Sequence, residues 1–315
     1  MSLLPVELAH RLATDAGRRR WLITGLWAEE AVGIVGGEPK CCKSFLALEL
    51  AVSVASGTPC LRRFPVTQPG RVLLYAAEDA PHIVRRRLDG ICAASGVQLQ
   101  GLDIQVITAA SLRLDLEADR SSLEETVAAL GPRLLVLDPF VRLHRIDENA
   151  SAEVAPLLAY LRQLQRRHRV AVAVVHHAKK GAGRLRAGQA LRGSSEFHAW
   201  GDSNLYLRRH ADALTLSVEH RAAPSLSPIS LTLTGSGDAL ALAVTDALAQ
   251  PDQVPSPSAD QRITEALADA GGPLSIAQLR AACRLRNATL YSRLAALSSE
   301  GVLTRSDDGY RLAAS

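Results

Sequence analysis

Residues 31–56 read AVGIVGGEPKCCKSFLALELAVSVAS. Ala31–Val35 is a short apolar run of the kind that forms a strand buried on both faces, and Phe45–Ser56 has the apolar pattern of a buried helix. Between them lies Gly37-Glu38-Pro39-Lys40-Cys41-Cys42-Lys43-Ser44. A strand, a glycine-bearing loop and a helix in this order turn backbone N–H groups and the positive end of a helix dipole toward one point, where a phosphate is held. A lysine in the place of Lys43 reaches the β- and γ-phosphates of a nucleoside triphosphate, and a hydroxyl in the place of Ser44 ligates Mg²⁺. The expected nucleotide-binding residues are Gly37, Glu38, Pro39, Lys40, Cys41, Cys42, Lys43, Ser44 and Phe45, with ATP and Mg²⁺ as cofactors. The glycine usual before the lysine is here Cys42. A small side chain fits there if the backbone lies in an ordinary region, and otherwise it narrows the loop and alters nucleotide binding.

Working outward, apolar runs alternate with helical patterns as buried parallel strands and crossover helices do. Arg71–Ala76 reads as a strand followed by a helix with Ile83, Arg87 and Leu88; Ile104–Thr108 is another strand. Leu123–Leu130 reads as a helix, Leu134–Leu137 as a strand, Val154–Gln165 as a helix and Val170–Val175 as a strand. Beyond these, Asn204–Leu207, Ala213–Glu219 and Ile229–Thr234 alternate apolar and polar residues and sit close together, so they extend the sheet as antiparallel strands. The expected core is α/β, a mainly parallel sheet flanked by helices.

In open sheets of this kind ligands bind at the C-terminal ends of the strands. Two carboxylates fall there. Asp138 follows Leu134–Leu137, the place of an acid that holds Mg²⁺ through its water; Glu78 follows Val72–Tyr75 and suits orienting or deprotonating an attacking water. His176 and His177 end the next strand, where a neutral imidazole can bond a γ-phosphate. Strand alternation lets only one of the pair face the crevice, and His176 is the expected one.

The segment Ala178–Arg192 holds Lys179, Lys180, Arg184, Arg186 and Arg192, several glycines and no acid. That composition suits a nucleic-acid backbone. Arg85-Arg86-Arg87 lies on a helix that packs on the sheet, so part of the run is a solvated face. Arg166-Arg167-His168-Arg169 closes another helix, where cations complement the dipole. The overall charge of +4 permits nucleic acid without demanding it. Cys41, Cys42, Cys60, Cys92 and Cys283 have no zinc spacing and read as reduced thiols. No signal peptide and no run approaching roughly 18 apolar residues is found, so a soluble cytoplasmic protein without membrane contact is expected.

Gln250–Ala259 (QPDQVPSPSA) is a polar, proline-rich linker. After it come a helix over Ala259–Ala270, a turn at Gly271-Gly272-Pro273, and a helix over Ser275–Leu285 entered through Ser275. A third helix is capped by Asn287, with Leu290, Leu294 and Leu297 on one face. Val302–Arg305 and Tyr310–Leu312 form a hairpin around Asp307-Asp308-Gly309. Three helices and a hairpin make a winged helix, whose third helix, Asn287–Glu300, commonly reads duplex DNA. Thr289, Ser292 and Arg293 are the candidate contacts there, with Arg305 and Arg311 on the wing. Residues 258–315 nonetheless carry seven arginines against six acids, a weak balance for a dedicated DNA reader.

As a set, GEPKCCKS, YAAEDA, LLVLDPF, DEN (147–149), VVHHAKK, LRGSSEF and VEHRAAPS resemble the RecA-like ATPases grouped with the plasmid replicative helicase RepA, more distantly the DnaB helicase core. The likeness covers about residues 20–245. It implies a RecA-like P-loop core, a homo-oligomeric and usually hexameric ring with ATP between subunits, and helicase activity on single-stranded DNA tracked by Ala178–Arg192. By position it implies phosphate and magnesium contacts for Lys43 and Ser44, a catalytic carboxylate at Glu78, a second magnesium-side acid at Asp138, a γ-phosphate sensor at His176 or His177, and a finger reaching the neighbouring site at Arg221. Cys42 departs from the family pattern, as does the lack of room in residues 1–20 for a separate N-terminal domain. The expected organisation is residues 1–20 as an N-terminal segment, 21–249 as the ATPase domain, 250–258 as linker and 259–315 as the winged helix. A regulatory or scaffolding ATPase that does not unwind, and a non-hydrolysing relative disabled by Cys42, are the other readings the sequence allows.

Overall fold

The computed structural model describes residues 6–11, 20–177, 196–210, 213–236, 239–245, 259–283, 287–306 and 309–313. The candidate DNA residues Lys179, Lys180, Arg184, Arg186 and Arg192, and the linker, lie outside them. Contacts divide the chain into two units, Met1–Asp246 and Ala247–Ser315.

In the first unit a small hairpin, β1 (Trp21–Ile23) and β2 (Trp27–Ala28), precedes β3 (Val32–Gly37) and α1 (Lys43–Ser56). Then follow β4 (Val72–Ala76), α2 (Pro81–Ala94), β5 (Ile104–Val106), α3 (Glu117–Leu130), β6 (Leu134–Asp138), α4 (Ser151–His168) and β7 (Ala171–His177). The short α5 (Glu196–Trp200) leads into β8 (Ser203–His210), β9 (Ala213–His220), β10 (Ile229–Ser236) and β11 (Ala239–Val244). One nine-stranded sheet results, in the order β11-β10-β9-β8-β3-β7-β6-β4-β5. From β8 to β5 neighbours are parallel; β9, β10 and β11 continue it antiparallel. The antiparallel extension expected from sequence is present, with β11 as an added edge strand.

Strands β3, β6 and β7 run through the middle of this sheet and are buried almost throughout, which explains their unbroken apolar sequence. Alternate residues feed two cores. Leu46, Leu50, Leu88, Val136 and Val175 pack on the α1–α2 side. On the opposite face Ile34, Leu137 and Val174 pack with Leu123 of α3, Leu161 of α4 and Phe197 of α5. Glycine is required where β8 runs beside β3, because a Cβ on Gly33 would lie 1.6 Å from the Ser203 carbonyl oxygen.

The second unit contains α6 (Ala259–Ala270), α7 (Ile276–Cys283), α8 (Asn287–Ser299) and the antiparallel pair β12 (Leu303–Ser306) and β13 (Gly309–Leu312). Ile263, Leu279, Leu290, Leu294 and Leu303 form its core. Ser275 and Gln278 make a reciprocal cap at the start of α7: the Ser275 N–H donates to Gln278 Oε1 at 2.9 Å, and the Gln278 N–H donates to Ser275 Oγ at 3.4 Å. Leu274 adds a bridge to Tyr310 that the sequence pattern does not announce.

Candidate nucleotide site and its family

The register of the parallel strands brings the candidate residues to one edge. Gly37 pairs with His177 across β3–β7, and Ala76 pairs with Asp138 across β4–β6. The loop after β3 and the start of α1 close a cleft of about 310 Å³. Lys40, Cys41, Cys42, Lys43, Ser44 and Phe45 line it on one side, and Glu78, Arg87, Asp138, Val175 and His177 on the other. Gly37, Glu38 and Pro39 lead from β3 into the loop. Gly37 has φ +154°, and a Cβ there would sit 2.3 Å from the Leu207 carbonyl oxygen, so only glycine fits.

Charge in this cleft is held under cover. Lys43 is buried, and its ammonium donates to the Glu38 carbonyl at 2.8 Å. Burial pulls its pKa down, opposed by Cys41, Asp138 and Glu78. Asp138 is also buried, and desolvation pushes its pKa up to about 6 against the stabilising hydrogen bond from Ser44. A buried carboxylate bonded to a hydroxyl at a phosphate loop is a hard-oxygen pair of the kind that takes Mg²⁺ together with waters and phosphate oxygens, so the residues fit that ion. No cluster of three or more His, Cys, Asp or Glu suited to a metal occurs among the described residues.

Cys42 departs from glycine at a costly place. Its φ is +65°, the left-handed region, so the backbone is not ordinary and the cysteine occupies the conformation that glycine normally supplies. Its sulfur accepts a hydrogen bond from the Arg209 guanidinium at 3.3 Å.

The expectation for the paired histidines is corrected. His177 shares the cleft face with Val175 and lines the cleft. His176 points through the sheet to the other side, 1 % exposed, stacked on Phe197 with ring centroids 4.1 Å apart. Alternation places one on each face as expected, but the register with Gly37 selects His177.

Arg221 lies just beyond β9, on the edge of the sheet where the parallel strands begin. There Ser203, the first residue of β8, pairs with His220, whereas the phosphate loop follows the far end of β3. Its guanidinium donates to the Ala199 and Trp200 carbonyls and lies 3.6 Å from the Asp202 carboxylate. Within one copy it therefore cannot approach the cleft.

Over residues 2–183, more than half its length, the chain matches the family described as AAA domain. The chain belongs to that family. Among solved structures it is similar to a helicase-sized ATPase domain, with 14% identity and a TM-score of 0.52 over 68% of this chain and 85% of that one. It is similar to a DnaB-like replicative helicase, with 14% identity and a TM-score of 0.51 over 67% of this chain and 56% of the helicase. The RadB recombinase aligns at 17% identity and a TM-score of 0.47 over 65% of this chain and 88% of that one. The first unit is a RecA-like P-loop ATPase domain, and the expected fold class holds. No helix among the described residues is long and apolar enough to cross a membrane.

Three residues of this AAA-family ATPase escape a reading of motifs. Arg87 leaves the solvated run expected of Arg85–Arg87: it pairs with Asp79 and stands over the Phe45 ring at 5.2 Å, on the wall of the cleft. Arg142, on the turn after β6, donates to Glu78 at 2.9 Å. Arg209 covers Cys42. Each is an arginine from a separate element, and only the sheet order brings it near; the one sequence signal is its position soon after a strand end or on the helix following one. In the second unit Arg293 is tied to Asp260 through Nε at 2.6 Å, so it braces α8 against α6 instead of standing free as a DNA contact. Ser292 is exposed on α8, and the Asn287 and Thr289 side chains lie outside the described ones. Arg305 stacks over Tyr310 and Arg311 donates to Thr304, both on the hairpin.

Proposed function

We propose that the protein binds and hydrolyses ATP with Mg²⁺ and couples that cycle to DNA as a ring-forming, helicase-like motor of the RepA-like kind. The observation that carries this reading is the separation of two cationic groups. Lys43 is buried in a cleft with Asp138, Ser44, Glu78 and His177, while Arg221 stands on the opposite edge, where it can serve only another copy's cleft.

In this reading Mg²⁺ and the triphosphate supply the electrophilic phosphorus and its charge neutralisation. Lys43 leaves the Glu38 carbonyl for the β- and γ-phosphate oxygens, while Ser44 and Asp138 hold the metal side. Glu78 orients the attacking water and accepts its proton once Arg142 releases it; His177 senses the γ-phosphate. Arg221 of an adjacent subunit stabilises the charge that develops on the transferred group. The segment holding Lys179, Lys180, Arg184, Arg186 and Arg192 tracks single-stranded DNA in the ring. The second unit acts as a winged helix that adds duplex DNA or protein contacts.

The second reading, a regulatory ATPase that switches DNA or protein binding without unwinding, is favoured by one observation: Glu78 is engaged by Arg142, and Cys42 holds the loop in a left-handed conformation. The test is strand displacement on a forked duplex with ATP and Mg²⁺, in both polarities, by an oligomer verified by native mass. Unwinding supports the motor. ATP turnover by the oligomer with no displacement sinks it and leaves the switch.

A further inference from the structure

The cleft and the Arg221 edge are joined inside one subunit by a short, continuous set of contacts centred on α5. On the cleft side, Asp138 and His177 each have a near neighbour that points through to the opposite core. Two residues after Asp138 comes Phe140, and one before His177 comes His176. Phe140 and Phe197 are fully buried. The His176 ring stacks on Phe197 at an interplanar angle of 20°, and Phe140 meets both edge-on, at 6.0 Å from His176 and 5.2 Å from Phe197.

Phe197 belongs to α5, and the other end of that helix belongs to Arg221. The Ala199 and Trp200 carbonyls accept from the Arg221 guanidinium. Trp200 is itself anchored, its indole N–H donating to the Leu158 carbonyl at 2.8 Å. Asp202, just past the helix, receives Arg162 and lies against Arg221. One turn of helix thus touches the residues behind the nucleotide cleft at its start and holds the candidate finger at its end.

We propose that α5 couples the two edges: nucleotide in a subunit's own cleft resets the His176–Phe197 stack, and α5 passes that change to the carbonyls that hold Arg221. His176 and Phe197 are then positioning residues, acting through α5 and not on the nucleotide. The inference rests on the nucleotide-binding reading of the cleft but requires neither a ring nor DNA. Physical contact alone does not make a coupling path, since a path needs an element whose equilibrium both sites bias. A five-residue helix held by one aromatic stack and a few polar contacts is small enough to shift as a unit.

The experiment is amide hydrogen exchange of the full chain, followed by mass spectrometry, without nucleotide and with saturating ADP or a non-hydrolysable ATP analogue and Mg²⁺. In the wild type, nucleotide is expected to change exchange at residues 197–202 and 220–223 by about threefold or more. Phe197→Leu keeps apolar volume but breaks the stack; it should abolish that change while nucleotide affinity stays within about twofold of wild type. His176→Ala should behave alike, and His176→Phe, which preserves stacking, should retain the response. Persistence of the response in both Phe197→Leu and His176→Ala overturns the proposal, as does a wild type that binds nucleotide without changing exchange there. A wild type that binds no nucleotide overturns both this inference and the reading of the cleft. A monomer that shows the response supports the coupling and removes the finger role of Arg221 alone.

Discussion

The two edges of the nine-stranded sheet both present charge, but they hold it in different ways. At the phosphate-loop edge Lys43 and Asp138 are buried, and desolvation drives the pKa of each toward its neutral form. At the other edge Arg221 is half-exposed and already satisfied by two carbonyls and the Asp202 carboxylate. Buried, desolvated charge is poised for a ligand that will compensate it. Exposed, satisfied charge needs nothing within its own copy, so any catalytic role must come from meeting a second one.

Taking away each edge's principal cation probes that contrast with the largest effects. Arg221→Ala should leave ATP affinity within about twofold of wild type yet reduce turnover by about 10³-fold, because a trans arginine acts on transition-state charge. A matching loss of affinity, measured by titration with a fluorescent nucleotide, would place Arg221 in its own copy's cleft and erase the distinction. Lys43→Ala should lower turnover by about 10²–10³-fold and weaken nucleotide binding as well, since it removes a donor to the phosphates.

Asp138 separates function from stability. Asp138→Asn should reduce Mg²⁺-dependent turnover by about 100-fold while raising the nucleotide-free melting temperature by about 2–4 °C at neutral pH. The sign follows from its raised pKa. Between the ordinary carboxylate range and about pH 6 the folded protein keeps a proton that the unfolded chain has released. The associated stability is therefore present at the acid end and lost as pH rises through about 6. Wild-type melting curves should show that loss over this window, and the asparagine variant should lack it.

Much of this edge can be read from sequence for a physical reason. Strands buried on both faces appear as unbroken apolar runs, and Glu78, Asp138 and the histidine pair are conspicuous because they interrupt such runs at their ends. What stays hidden depends on register and reach. Alternation says that one histidine faces the cleft, but only the pairing of Gly37 with His177 says which. Arg87, Arg142 and Arg209 arrive from separate elements. Helix α5 is too short to show a helical period, and β11 reads ALALAV without an obvious partner until β10 supplies one. The backbone angle of Cys42 is likewise invisible in a residue string.

Cys42 gives the smallest of the expected effects. Cys42→Gly relieves a left-handed conformation that costs an L-residue about 1–2 kcal/mol, but glycine gives back about 0.5–1 kcal/mol through the entropy of the unfolded chain. Stability should therefore change little. Turnover should rise about two- to fivefold as the loop settles around phosphate without the Sγ–Arg209 contact. Steady-state phosphate release with unchanged or lower turnover would show that the cysteine does not restrain this edge.

A cleft complete for binding becomes complete for catalysis, on this view, through the opposite edge of another copy. Mixing Lys43→Ala subunits with Arg221→Ala subunits tests this most directly, with mixed oligomers verified by native mass and phosphate release followed over time. Each variant alone should be nearly inactive, and the mixture should recover a substantial part of wild-type turnover, because some interfaces then combine an intact Lys43 cleft with an intact Arg221. Verified mixed oligomers that release no more phosphate than either variant alone would contradict it.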